Sequence, residues 1–370
     1  MADNPLLKDQ LGPAAVRQLA ARLQTAWPVF EQQGFINQAC HQLESLELKA
    51  RVSHIINTLA VFLPAGFCET ARILDRVASD WPCDPERNWS SFTAWPLIDY
   101  VSVYGLDYPQ RSFDLLEKMT SLFTAEFAIR PFLDRHFALT HQQLLHWTQH
   151  DSEHVRRLAT EGIRPRLPWA RQIKTLRDDP AAIWPIVEPL KADPSLYVRH
   201  SVANNLNDIS KDHPQAVLTI CRQWQQGSDE KTDWVMRHGL RTLVKSGHPE
   251  VYALLGFTEQ PILKKADFRL ADSVIKVGEK LSLTMAIETQ DQARLVLDYR
   301  IGFVRANGKP GWKVFKWKNI DTQGGQTLTI QKSHAFMPLA TRQYYPGRHQ
   351  IECLINGRVV AKAAFFLELA

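Results

Sequence analysis

The chain has 370 residues, 45% of them hydrophobic, 22% charged and 10% aromatic, with 17 glycines and 21 prolines. This composition excludes a disordered chain, a collagen and a disulfide-stapled miniprotein, and the length predicts two or three domains. The net charge of +5 is unevenly spread: residues 1–139 carry −4, residues 140–259 carry +1 and residues 260–370 carry +8. A basic C-terminal third suits either a polyanion partner or a solvated basic surface.

The longest apolar run, Leu59 to Phe67, is too short to span a bilayer and holds Pro64. No charged-then-apolar leader opens the sequence, so a cytoplasmic protein that does not enter a membrane is expected. The five cysteines, Cys40, Cys68, Cys83, Cys221 and Cys353, form no C-x-x-C pair, which argues against a disulfide framework or a thiolate zinc site.

In chain order, Val16, Leu19, Ala20 and Leu23 mark one face of a helix over 13–26. Leu48, Val52, Ile56, Leu59 and Leu63 mark a second helix, which Pro64 stops. The Trp-, Pro- and Asp-rich stretch Trp81 to Gly105 predicts a long ordered loop with short helices, because its aromatics need burial. From about residue 140 a repeat emerges in HVRRLATEGIRP (154–165), YVRHSVANNLND (197–208) and VMRHGLRTLVKS (235–246). Its arginines Arg156, Arg199 and Arg237 stand 43 and 38 residues apart, a HEAT-like period of two helices per unit. Asp193-Pro194, His213-Pro214 and His248-Pro249 predict helix starts with proline at the first helical position. Such units stack into a superhelix with a concave face.

Near Gln260-Pro261 the hydrophobic period changes to two, as in Leu281, Leu283, Met285 and Ile287 and in Leu295, Leu297, Tyr299, Ile301 and Phe303. Asn307-Gly308 and Asn356-Gly357 read as hairpin turns. About seven strands in this region predict an immunoglobulin-type β-sandwich, with His349 where a tyrosine is usual and Ile351 where a cysteine is usual. The expected fold is therefore multidomain: an all-α HEAT-like repeat solenoid over 1–258, then an all-β immunoglobulin-like sandwich over 259–370.

Phosphate-loop, dinucleotide, serine-hydrolase and H-E-x-x-H motifs are absent from the sequence. His146, His150 and His154 are four apart, but the helix start at Asp151-Ser152 falls between them, so no metal is expected. The repeat helices carry more information. Val198, Val202, Leu206 and Ile209 form one core stripe, with His200, Asn204 and Asp208 on roughly the opposite face. Val155, Leu158, Ala159 and Gly162 form another, opposite Arg157, Glu161 and Arg164. A helix over 234–245 would bury Met236, Leu240 and Val244 and expose Trp234, His238, Arg241 and Lys245. Stacked in register, these faces form a basic surface holding two isolated carboxylates, Glu161 and Asp208. On it, Arg156, Arg157, Arg164, Arg166, Arg199, His200, Asn204, Lys211, Arg237, His238 and Arg241 suit phosphate contacts. A carboxylate facing a polyanion works against Coulomb repulsion and needs a reason; an exposed Arg–carboxylate pair is the structural alternative. In the sandwich, Lys309, Lys313, Lys316 and Lys318 interleave with Trp312, Phe315 and Trp317. This edge either grips a nucleic-acid backbone or resists aggregation.

The segments TEGIRPRLPW (160–169), SVANNLNDISKDHP (201–214) and WVMRHGLRTLVKSGHPE (234–250), with PLLKDQLG near the start, resemble the AlkC branch of the AlkC/AlkD bacterial DNA glycosylases over roughly residues 5–255. The basic sandwich resembles an immunoglobulin-like extension found in a subset of that branch. The resemblance implies a monofunctional glycosylase that releases N-alkylated bases, among them 3-methylcytosine, 1-methyladenine and 3-methyladenine, from duplex DNA. It places Asp208 at the catalytic acidic position, Glu161 and Trp169 in the site lining, and Glu126 of FTAEFAIRPFL (123–133) as a further acidic site residue. It implies no cofactor and no metal, double-stranded DNA as partner, a monomer, and work in the bacterial cytosol without a deep pocket for a flipped base. Trp184, Trp224 and Trp234 read as core residues. A non-catalytic HEAT-repeat adaptor that binds damaged DNA or a protein is the alternative.

Overall fold

The computed structural model describes residues 6–81, 92–338 and 343–369. Helices fill the chain to Leu254 and strands fill it from Leu263, so the change of hydrophobic period marks the change of architecture. The helices at Pro13–Ala26 and Leu48–Phe62 fall where the apolar spacing put them, the second ending before Pro64. Part of the Trp-rich stretch, 82–91, lies outside the described residues; the rest forms a short 3₁₀ turn and the ten-residue helix Trp95–Tyr104. Two compact units emerge, one of residues 1–212 and 229–235, the other of residues 213–228 and 236–370.

In the first unit the helices Glu153–Gly162 and Leu196–Ile209 pack side by side: Thr160 Oγ1 donates to Ser201 Oγ at 2.7 Å and Asn205 Nδ2 to the Thr160 carbonyl at 2.8 Å, while the Val155/Leu158 and Val198/Val202 stripes are buried. The second begins at Leu196, two residues later than Pro194 suggested, because Asp193 Oδ1 accepts the Ser195 N–H at 2.8 Å and holds 193–195 as a turn. The repeat arginines tie these turns down. Arg156 donates from Nη1 to the carbonyls of His150 and Asp151 and makes a two-pronged pair with Asp193 at 2.7 and 3.1 Å. Arg199 donates from Nη1 to the carbonyls of Asp193 and Pro194. Each thus closes onto carbonyls five and six residues back that would otherwise lack partners. The expected single helix over 234–245 is broken: Glu230–Gly239 ends at a glycine, Leu240 interrupts, and Arg241–Ser246 follows. Val244 is consequently only half-buried.

Among the described residues the sandwich has eight strands, against the expected seven or so: β1 (Leu263–Leu270), β2 (Val274–Lys276), β3 (Lys280–Thr289), β4 (Ala293–Val304), β5 (Pro310–Thr322), β6 (Leu328–Ala335), β7 (Gly347–Ile355) and β8 (Arg358–Glu368). The three-residue β2 is too short to show a period. One sheet runs β1-β3-β6 and the other β2-β8-β7-β4-β5. Leu281, Leu283, Met285 and Ile287 face Leu295, Leu297, Tyr299 and Ile301 across the core. Asn356-Gly357 forms a two-residue turn with both residues left-handed, at φ 44° and 74°. His349 is fully buried and stacks on Phe365, and Ile351 sits in the core.

Candidate active site

Four segments converge on one buried cluster in the helical unit: the turn before the helix Arg130–Arg135, the helix Glu153–Gly162 with the loop after it, and the helix Leu196–Ile209. Glu126 accepts from Thr124 Oγ1 at 2.8 Å and pairs with Arg157 Nη1 at 2.6 Å. Arg157 reaches on to Glu161 Oε1 at 3.5 Å, one helical turn along its own helix. Arg164 Nη1 meets the same Glu161 oxygen at 2.6 Å, while its Nε and Nη2 lie 2.9 and 2.8 Å from Asp208 Oδ2. Lys211 closes the row at 3.1 Å from Asp208 Oδ1. The result is an alternating chain: Glu126, Arg157, Glu161, Arg164, Asp208, Lys211.

This corrects the expected exposed face. Asp208 is 2% exposed, Glu161 4%, Arg164 6% and Glu126 8%. The carboxylates are not isolated among phosphate-binding cations; they are held by those cations. Helical periodicity placed Arg157 and Glu161 opposite the apolar stripe, whereas the helix ends at Gly162 and Arg164 reaches the cluster from the loop after it; the neighbouring helix and the turn before Arg130 cover that side too. Burial alone would push Glu161 up; Arg157, Arg164 and the Ser201 hydroxyl, which donates to Oε2 at 2.6 Å, outweigh it and hold the carboxyl below its usual range. Burial likewise works against a charged Arg164, and Glu161 and Asp208 overcome it. Tyr197 lays its ring on the Arg157 guanidinium at 4.7 Å.

Trp169 leaves this cluster on the same loop. It is 60% exposed, so it is not a packed core indole, and it adopts φ 64°. A left-handed backbone at a bulky residue costs on the order of 1–3 kcal/mol and persists only where its surroundings fix it. Here Lys49 Nζ donates to the Trp169 carbonyl. Sequence reasoning missed the second restraint. Arg130 is buried and donates to the carbonyls of Gly162 and Arg164 at 2.8 and 2.9 Å, and twice to that of Arg171. It therefore staples the loop that carries both Arg164 and Trp169. The one available signal was its place four residues after Glu126 in the FTAEFAIRPFL segment.

The remaining predicted contacts divide. Arg156 is engaged with turn carbonyls and Asp193, and Arg157 and Arg164 with the buried carboxylates, whereas Arg199 donates from Nη1 to two turn carbonyls and its Nε has no partner. Arg166 makes a two-pronged surface pair with Asp212 at 2.9 and 2.7 Å. His200 is exposed, its ring edge-on to Trp234, and Asn204 is half-buried. In the second unit Arg237 is exposed, and Arg241 donates to the His238 carbonyl at 2.6 Å. Trp224 is core, whereas Trp184 and Trp234 are only half-buried. Lys309, Lys313 and Lys316 are exposed on edge strand β5 and its turn, but they do not share one face. Lys313 lies over Phe315, which stacks on core Tyr299, while Lys316 points to the other side and pairs in register with Asp298. Among the described residues no group of three or more His, Cys, Asp or Glu is placed to hold a metal ion; His150 instead accepts the Ser152 N–H and faces Glu117. No single described helix is long and apolar enough to cross a membrane.

A family model described as "DNA alkylation repair enzyme" matches residues 118–243, which hold the whole buried cluster. A second, for the C-terminal Ig-like domain of the uncharacterised protein YhaZ, matches residues 264–369. The chain is 37% identical over 360 residues to the uncharacterized protein YhaZ of Bacillus subtilis, covering 97% of this chain and 98% of that one. It is also similar to the alkylpurine DNA glycosylase AlkC of Pseudomonas fluorescens, solved bound to DNA with an abasic-site analogue: TM-score 0.90, 35% identity, 98% of this chain and 100% of that one. The chain belongs to the AlkC-type DNA alkylation repair family. Its helical unit followed by an immunoglobulin-like sandwich is the architecture of that relative over its full length.

Proposed function

We propose that the protein is a monomeric cytosolic DNA glycosylase that hydrolyses the N-glycosidic bond of N-alkylated bases, such as 3-methyladenine, 3-methylcytosine and 1-methyladenine, in duplex DNA. The observation that carries the reading is Asp208: a buried carboxylate that meets Arg164 at 2.8 Å through one oxygen and the exposed Lys211 at 3.1 Å through the other. An N-alkylated base is cationic. When the C1′–N bond breaks, its electron pair neutralises the base, and positive charge develops on the deoxyribose. Asp208 stabilises that charge and accepts the proton of the water whose oxygen adds to C1′, leaving an abasic site. Lys211, exposed and held to Asp208 by a single ion pair, is the member of the row that a DNA phosphate can draw away. Its departure leaves the remaining five groups with one net negative charge beside the reacting sugar. The exposed Trp169 indole offers a π face to the cationic base or sugar, at about 0.5–2 kcal/mol.

The deciding test is incubation with duplexes carrying a single 3-methyladenine or 3-methylcytosine, followed by alkali to reveal abasic sites. Base release is expected from at least one; release from neither defeats the enzyme reading. The sandwich lysines are proposed to hold the DNA backbone. Replacing Lys309, Lys313, Lys316 and Lys318 by glutamine should weaken duplex binding and lower the slope of log affinity against log salt by about 0.9 for each phosphate that is no longer neutralised. An unchanged affinity and slope would remove the sandwich edge from the interface.

A further inference from the structure

In the second unit a pocket of about 250 Å³ opens between the helix Arg241–Ser246, with the residues just before it, and strands β4 and β5. Its walls are fixed to each other. The Thr258 N–H donates to the Arg294 carbonyl at 2.9 Å, and the Arg294 N–H to Thr258 Oγ1 at 3.0 Å. Asn356 Nδ2 donates to the Thr258 carbonyl at 2.7 Å. The turns at Gly247 and Gly357 touch so closely that a Cβ on Gly247 would stand 2.8 Å from the Gly357 carbonyl oxygen.

Five cationic residues line the pocket: Arg237, Arg241 and Lys245 from the helical wall, Arg294 and Lys316 from the strands. Arg241 and Lys245 are four apart on one helix, where like charges repel. Arg237, Lys245 and Lys316 are exposed and make no ion pair or side-chain hydrogen bond among the described residues. Arg241 donates to the His238 carbonyl, and Arg294 Nε lies 3.9 Å from the exposed Asp321. One carboxyl is among the lining residues, that of Asp298. It is buried and makes no ion pair with any of the five, and its Oδ1 is closed to a ligand. Burial pushes it up, against the pull of Lys316, the Trp317 N–H and Lys245. In the buried row of the helical unit each cation meets a carboxylate; here Arg237, Lys245 and Lys316 do not. Asn319 adds an amide, and the other lining residues are apolar. Cations on two walls can meet a tetrahedral anion from both sides, whereas a carboxylate offers two oxygens on one edge.

We propose that this pocket is a phosphate site whose ligand is a backbone phosphate of the duplex, held in a unit that contains none of the buried carboxylate row. The choice of the duplex over a free phosphate compound rests on the glycosylase reading. The site is separate from Lys309 and Lys313, which do not line it.

Titration of the full chain into a fluorescein-labelled undamaged duplex at several salt concentrations tests it. Arg237→Gln with Lys245→Gln changes two exposed side chains. It should weaken binding by about tenfold or more at low salt and lower the slope of log affinity against log salt by about 0.9 for each phosphate released. Arg237→Lys with Lys245→Arg keeps both charges and should stay within about threefold of wild type. A second arm, isothermal titration with inorganic pyrophosphate, reports the site without DNA. Pyrophosphate binding that is lost in the glutamine variant while duplex affinity is unchanged would overturn the duplex as the source and leave a free phosphate compound. Citrate competing as well as pyrophosphate would overturn the choice of phosphate. Wild-type behaviour of the glutamine variant in both arms, or an equal loss in the charge-conserving variant, would overturn the site. Neither arm requires cleavage. Excision from an alkylated duplex is measured on the same preparation, and its failure with duplex binding intact removes the glycosylase reading and leaves this site standing.

Discussion

Asp208→Asn is expected to lower the single-turnover rate of base excision by about 10²–10³-fold while leaving duplex affinity nearly unchanged. Asparagine keeps the shape and one oxygen, so Arg164 Nε, now 2.9 Å from Oδ2, retains an acceptor. What disappears is the negative charge that faces the developing oxocarbenium. Lys211 loses its anion but remains on the surface, where it can still meet a phosphate. The loss should therefore fall on the rate constant measured with enzyme in excess and not on half-saturation. Thermal unfolding of the variant, run alongside, separates lost chemistry from lost protein. A rate within a few-fold of wild type would transfer the catalytic assignment from Asp208 to Glu126 or Glu161.

Arg164→Leu should have the largest effect on stability. Arg164 is the cation shared by Glu161 and Asp208, and both carboxylates are almost fully buried. Removing the shared cation leaves each buried carboxylate with one weaker partner, Arg157 at 3.5 Å and Lys211 at 3.1 Å, and costs toward the lower end of about 3–5 kcal/mol. The pH dependence fixes the cause. In the wild type Glu161 is held below its usual range, so its contribution is present above the unfolded-state value near 4.5 and is lost as pH falls through the lower folded value. Without Arg164 that carboxyl keeps Arg157 and the Ser201 hydroxyl but loses its nearest cation, so burial pushes it back up and protonation relieves part of the strain. The gap between wild type and variant in urea unfolding should therefore be wide at pH 7 and narrow toward pH 4.5. An equal gap at both values would attribute the loss to packing volume alone.

The sequence made the architecture legible because its signals are local. The change from a 3.6 to a 2 period near residue 260 is a matter of successive side chains, as is the Asn356-Gly357 turn. The site was legible in a different way. Glu126, Glu161, Trp169 and Asp208 could be named, and the structure brings the three carboxylates into one chain of ion pairs. Their surroundings could not be named, because burial of the polar side of a helix is decided by what packs against it. The partners joining Glu126 to Arg157 and Arg164 to Asp208 lie 31 and 44 residues apart. Arg130 escaped notice for the same reason: its acceptors are backbone carbonyls more than 30 residues downstream, which no side-chain pattern advertises. Lys313 and Lys316 looked like one cluster, yet three positions along a strand put them on opposite faces.

The two turn-closing arginines bear on how a duplex could be accommodated. Arg156 and Arg199 lock consecutive interhelical joints at the shared Asp193, so neighbouring repeats cannot pivot without breaking charged hydrogen bonds. A surface mounted on locked joints is stiff. Where protein and double helix do not match in curvature, the softer partner must yield, and a lesion-weakened stack is softer than intact DNA. Compliance of the damaged duplex can then contribute to recognition before any atom of the altered base is read.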